Sequence, residues 1–156
     1  MIFEEKKDSY LISTDKSKLD SNLIHNFLCN KSYWAKGIPY NTVKTSIEYS
    51  ECFGIYHSGK QVGFARVITD KSTFGYIGDV FIADDHRGKG LSKWIMECIM
   101  KHPELQGFRR WVILTRDAHE LYKKFGFTPV KKPQNFMENH EPEVYLKNIN
   151  LKDESS

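Results

Sequence analysis

The order of apolar patterns along this chain predicts a mixed α/β (α+β) domain: one central sheet of about six to seven strands, flanked by helices. Three observations predict it. Strand-like runs cluster in the first half of the chain, strand and helix patterns alternate after residue 74, and residues 82–92 join an apolar run to an amphipathic helix through a short basic turn broken by glycines. At 156 residues the chain has the length of one domain with a sizeable core, and we delimit it as residues 1–147 followed by a polar tail at 148–156. The tail loses periodicity and is expected to fray.

The elements follow in order. Tyr10-Leu11-Ile12-Ser13 reads as a short strand. Asp20 or Ser21 caps a helix that carries Leu23, Ile24, Phe27 and Leu28 on one side. Residues 32–40 hold Tyr33, Trp34 and Tyr40 beside Gly37 and Pro39, an aromatic loop that is costly to expose and useful for binding. A second helix begins at Asn41 or Thr42 and runs through Val43, Ile47 and Tyr49. Gly54 to Arg66 is a hairpin, two apolar runs about a Ser58-Gly59 turn. Phe74 to Ala83 is a strand, apolar on both faces from Val80 to Ile82 and therefore central, with Gly75 and Gly78 marking a bulge or a close approach. The next helix turns Leu91, Ile95, Cys98 and Ile99 inward, sets Lys93, Glu97 and Lys101 four apart on another side as charge pairs, and ends at Pro103. Trp111 to Thr115 is a buried strand. A helix over 118–125 follows, stopped by Gly126, and then strands at Phe127-Thr128-Pro129-Val130 and near Val144-Tyr145-Leu146.

Composition excludes several function classes. The net charge of +3 is too mild, and its lysines and arginines too scattered, for a nucleic-acid-binding domain. No apolar run approaches the roughly 18 residues of a membrane span, and Met1 to Lys7 lacks the charge-then-apolar order of a signal peptide, so a cytoplasmic location is the default expectation. The three cysteines, Cys29, Cys52 and Cys98, form neither a zinc pattern nor a disulfide framework, and no metal is expected. Cys98 lies on the apolar stripe of its helix and reads as core.

The turn at Arg87-Gly88-Lys89-Gly90-Leu91-Ser92 is built to hold a phosphate. Its glycines let the backbone bend and approach an anion, the first amides of the helix lack intrahelical partners, and Arg87 and Lys89 add charge. The alternative is an ordinary strand-to-helix turn with solvated bases. No P-loop string occurs, and Lys93 stands where a dinucleotide fingerprint needs a small residue.

Two motifs carry a resemblance. Arg87 to Ser92 satisfies R-x-x-G-x-[GA] except that Ser92 occupies the last position, and Ala118-His119-Glu120-Leu121-Tyr122-Lys123-Lys124-Phe125-Gly126-Phe127 is similar to A-x-x-L-Y-x-x-x-G-F. The chain thereby resembles the GCN5-related N-acetyltransferases, the GNAT family, over roughly residues 8–146. The resemblance implies an acyl-CoA N-acyltransferase fold whose fourth and fifth strands splay at one end, and acetyl-CoA as co-substrate. Val80, Phe81 and Ile82 then contact the pantetheine through the main chain, and Arg87, Gly88, Lys89, Gly90, Leu91 and Ser92 hold the pyrophosphate. A serine hydroxyl at 92 can itself donate to phosphate.

The same resemblance implies acetyl transfer to an amine of a small molecule or an exposed peptide amine, by a monomer or homodimer; the alternative is a catalytically inactive acyl-CoA-binding sensor or partner domain. It casts Tyr122 as the acid that protonates the departing thiolate, against a reading as a plain core aromatic. Asp79 is the candidate base, against a strand-end carboxylate bonded to a backbone amide. His119 is a second candidate, against the favoured reading in which it faces solvent, and an ordered water is a third. The loop with Tyr33, Trp34 and Tyr40 is the expected acceptor wall, Trp34 alternatively packing the first two helices together. Residues 136–141 are a possible second wall carrying negative charge.

Overall fold

The computed structural model describes residues 1–147; the tail expected to fray lies outside the described residues. Among them a single sheet has six strands in the order β1 (Glu4–Lys7), β2 (Tyr10–Ser13), β3 (Glu51–His57), β4 (Lys60–Thr69), β5 (Phe74–Ile82) and β6 (Arg110–Ile113). Neighbours are antiparallel up to β5, and β6 runs parallel to β5, so the sheet is mixed as expected. Ser58 and Gly59 both have positive φ, +51° and +76°, the geometry that matches a two-residue hairpin to the twist of β3 and β4.

Helices cover both faces, and strand alternation divides the core between them. On one side α1 (Ser21–Asn26), a π-turn at Phe27–Lys31 and α2 (Tyr40–Glu48) bury Ile24, Leu28, Val43 and Ile47 against Cys52, Phe64 and Phe81. On the other, α3 (Leu91–Lys101) buries Leu91, Trp94, Ile95, Met96, Cys98 and Ile99 against Ile12, Phe53, Ile55, Val67 and Ile77. Asp20 caps α1, its carboxylate accepting from the Leu23 amide at 3.0 Å. Two short helices, α4 (His119–Lys123) and α5 (Val144–Lys147), follow among the described residues.

The structure departs from these expectations in five places. The strand at residues 127–130 does not form: the Phe127 amide closes the end of α4 on the Tyr122 carbonyl, with Gly126 at φ +89°, and Pro129 has no N–H for a ladder. Val144-Tyr145-Leu146 is helical, because Tyr145 packs on the cluster beneath α1 and α2 and the Glu141 and Glu143 carbonyls take up the amides that a strand would present. The strand β1 was invisible in a charged Glu-Glu-Lys-Lys run. It is held by Glu5, whose carboxylate accepts from Trp94 Nε1 (3.0 Å), Cys98 Sγ (2.8 Å) and Lys101 Nζ (2.6 Å) of α3. Lys101 therefore pairs with Glu5 rather than with Glu97. Finally, α2 starts at Tyr40 after Pro39, and Tyr49 lies past its end, exposed.

Candidate active site

Strands β5 and β6 pair only from Phe74↔Arg110 to Ile77↔Ile113, while β4 follows β5 on to Gly63↔Ile82. From Gly78 onward β5 has no β6 neighbour, so a cleft opens between the two strands. Val80, Phe81 and Ile82 run along it. The Phe81 side chain is committed elsewhere, stacked on Phe27 at 4.0 Å, so only its main chain faces the cleft's contents.

At the end of β5 the chain passes a 3-10 turn, Asp84–His86, and reaches Arg87, whose Nε donates to the Ile82 carbonyl (3.2 Å) and whose Nη2 lies 3.3 Å from Asp84 Oδ1. Gly88 and Gly90 have φ of +76° and +75°, a region that favours glycine, and a Cβ at either would meet nothing within 4 Å. The turn is open to a ligand. Gly90 is the N-cap of α3 and supplies no side-chain cap, which leaves the first amides of an 11-residue helix directed at that opening. Six buried residues of α3 fix the direction in which those amides point. These features fit a pyrophosphate.

The opposite wall is a chain of contacts that joins distant parts of the sequence. Asp79 sits at a β-bulge, where the β4–β5 register passes from Phe64↔Phe81 to Arg66↔Gly78, and has φ +55°, strained for a residue with a Cβ. Its side chain is 9% exposed. Oδ2 accepts from Arg66 Nε at 2.8 Å and Oδ1 from Trp34 Nε1 at 2.8 Å; Arg66 Nη1 donates on to Ser50 Oγ at 3.0 Å. The carboxylate is thus bound by side chains and not by a backbone amide. Trp34 meets Tyr33 edge-on at 5.0 Å, and the Tyr33 ring carries the Arg116 guanidinium at 3.8 Å while its hydroxyl accepts from the Arg116 amide at 3.3 Å.

Tyr122 is buried on α4, 7% exposed, and burial raises its pKa, with the negative charge of Asp117 adding to the effect. It stays protonated at neutral pH and can give a proton. Tyr76 and Tyr145 are also raised, by burial first and by the Asp79 charge second.

The structure therefore brings together Asp79, Trp34 and Tyr33, and Tyr122 lies on α4, the helix that follows the loop carrying Arg116. Tyr40 stands apart, edge-on to His25 at 5.5 Å with Lys44 5.9 Å above its ring. His119 is exposed. Phe136 packs under Arg110 at 5.2 Å, and Phe136 and Met137 border a groove of about 1090 Å³ that Tyr122 also lines, whereas residues 138–141 are not part of its lining. Sequence reasoning missed Arg66, Ser50 and Arg116. An arginine within the apolar run Val62 to Val67 was the available signal for Arg66.

Comparisons with known proteins bear on the family and the fold. Residues 48–129 match the family model described as an acetyltransferase (GNAT) domain. A Gibberella zeae protein described as an acetyltransferase is 31% identical over 140 residues, covering 76% of this chain and 78% of the relative. Among solved structures, a protein from Xanthomonas campestris pv. campestris described as a GNAT-family acetyltransferase is 50% identical, covers 87% of this chain and 96% of its own, and superposes with a TM-score of 0.86. A GNAT-family acetyltransferase from Elizabethkingia anophelis, solved with acetyl-CoA bound, shares the fold at 14% identity and a TM-score of 0.60, covering 86% of this chain and 90% of its own.

Proposed function

The chain belongs to the GNAT acetyltransferase family, and from that premise we propose that it transfers the acetyl group of acetyl-CoA to an amine of a small molecule or an exposed peptide amine. The observation that carries this reading is the parting of β5 from β6 after Ile77, which opens a cleft between the Arg87–Ser92 turn and the Asp79–Trp34–Tyr33 wall. Acetyl-CoA supplies the thioester. Arg87, Gly88, Lys89, Gly90, Leu91 and Ser92 hold its pyrophosphate through amides and cationic side chains, and Val80, Phe81 and Ile82 offer main-chain partners to the pantetheine.

An ammonium cannot attack a carbonyl. Bringing a lysine-like amine, pKa about 10.4, to its neutral form at pH 7 costs about 4–5 kcal/mol, so the site must take up a proton. An ionised carboxylate has about four acceptor positions, and Arg66 and Trp34 occupy one on each oxygen of Asp79. The remaining positions receive the acceptor's ammonium and, in this proposal, its proton. The neutral nitrogen then attacks the thioester carbon; the C–N bond forms as the C–S bond breaks, Tyr122 delivers its hydroxyl proton to the leaving sulfur, the second proton leaves the new amide nitrogen through solvent water to restore Tyr122, and Asp79 releases its proton to solvent. Tyr33 and Trp34 form the acceptor wall, and Tyr40 braces its base against His25.

The test is thermal unfolding with acetyl-CoA at about 100 times its Kd, where binding stabilises by about 2.7 kcal/mol, followed by thiol release with a panel of amines. A midpoint rise in the wild type that Arg87→Ala with Gly90→Asp abolishes, together with thiol release, supports the reading. Binding without thiol release on any amine reduces the protein to an acyl-CoA-binding domain; no rise in a folded protein removes acetyl-CoA altogether.

A further inference from the structure

We propose that Arg116 reads a carboxylate on the acceptor, and that the acceptor is a bipolar molecule whose amine and carboxylate stand about two aromatic side chains apart. This rests on the acetyl-transfer reading above. The wall of the site is a row with opposite charges at its ends. Asp79 stands at one end, Trp34 bonds to it, Tyr33 packs on Trp34, and the Arg116 guanidinium lies on Tyr33. A molecule laid along this row with its amine at Asp79 brings its far end to Arg116.

The two ends differ in what they leave free. Asp79 is nearly buried and already paired with Arg66. Arg116 is exposed and has no ion-pair partner among the described residues, the adjacent Asp117 included. Its position is nevertheless defined twice, by the stacking on Tyr33 and by the bond from its own amide to the Tyr33 hydroxyl. Stacking occupies the face of a guanidinium and leaves its N–H edge available, and that planar fork matches a carboxylate in a bidentate fashion. The contact also joins two loops from different parts of the chain, the one between α1 and α2 and the one between β6 and α4. It therefore holds the fork on the loop that follows β6, just past the point where β6 parts from β5.

The experiment measures initial rates of thiol release from acetyl-CoA by the full chain, using straight-chain ω-amino acids of increasing length and the same amines with the carboxylate converted to an amide. One charge-assisted bidentate contact is expected to raise kcat/KM about tenfold for the carboxylate at the best length. Arg116→Gln should erase that preference, Arg116→Lys should restore part of it, and the Kd of acetyl-CoA should stay within about twofold in both variants. A flat series, or a preference that survives Arg116→Gln, overturns the proposal while leaving acetyl transfer intact. Weakened acetyl-CoA binding in Arg116→Gln also overturns it, since the arginine would then serve the cofactor's phosphates. If no amine of either series releases thiol, this proposal falls, and the transfer reading falls with it only when the wider amine panel also releases none while acetyl-CoA still binds.

Discussion

In the proposed transfer, Tyr122 and Asp79 divide the proton work between a neutral acid and an ion-paired carboxylate. Burial keeps the Tyr122 hydroxyl protonated, so Tyr122→Phe should lower kcat by about a hundredfold or more, the usual scale for losing a positioned acid, with the Kd of acetyl-CoA unchanged. An unchanged kcat in that variant would remove the acid role. Asp79→Asn keeps the shape but can neither take up a proton nor balance Arg66. Its pH profile of kcat/KM should lose the limb that Asp79 supplies, and an unshifted profile would assign the base to an ordered water. Trp34 fluorescence separates the two roles of Asp79, since a carboxylate that only anchors the indole would alter emission and KM without touching the pH profile. These pairings were beyond reach of the sequence alone. Trp34 is 45 residues from Asp79 and Tyr33 is 83 from Arg116, and neither separation leaves a periodic trace.

Local chemistry explains which elements were legible. The turn and α3 could be read because glycines with positive φ, basic residues and a helical apolar stripe all act within about 20 residues. The Ser58-Gly59 hairpin was legible for the same reason. The C-terminal segment was not: a three-residue apolar run has no measurable period, and its helix is decided by where Tyr145 finds its cluster. Strand β1 is the clearest case, because Glu5 is inward-facing only by virtue of its partners on α3. Glu5→Gln should therefore cost about 1–3 kcal/mol, visible in the denaturant midpoint and in faster hydrogen exchange of β1. Those donors hold the Glu5 carboxyl below its usual 4.5, the Cys98 thiol contributing most and Lys101 next. Its stabilisation is complete above about pH 4.5 and is lost as pH falls through the lowered folded value; Glu5→Gln should flatten the stability curve in that acid range.

At the scale of the whole molecule, one buried base ties folding to pH. His102 is fully buried between Phe3 and Phe53, with Nδ1 accepting from the Glu104 amide at 3.0 Å and Nε2 3.9 Å from Glu51. Burial lowers its pKa below 6.5, against the opposing pull of Glu51 and Glu104. The unfolded chain therefore binds the proton more readily. Stability is full above about pH 6.5 and declines as pH falls from there toward the lowered folded value, by at most about 1.4 kcal/mol per pH unit. Equilibrium unfolding across that range should show the slope in the wild type and a shallower one in His102→Gln. Helices on both faces leave few thiols accessible: Cys52 is buried and pushed up to about 12, and Cys98, also raised by burial, lies under Glu5. Cys98 is consequently a built-in clock for the N-terminal edge of the sheet. An alkylating reagent can modify it only while β1 is lifted from α3, so its labelling rate counts the openings of that hairpin without any introduced probe.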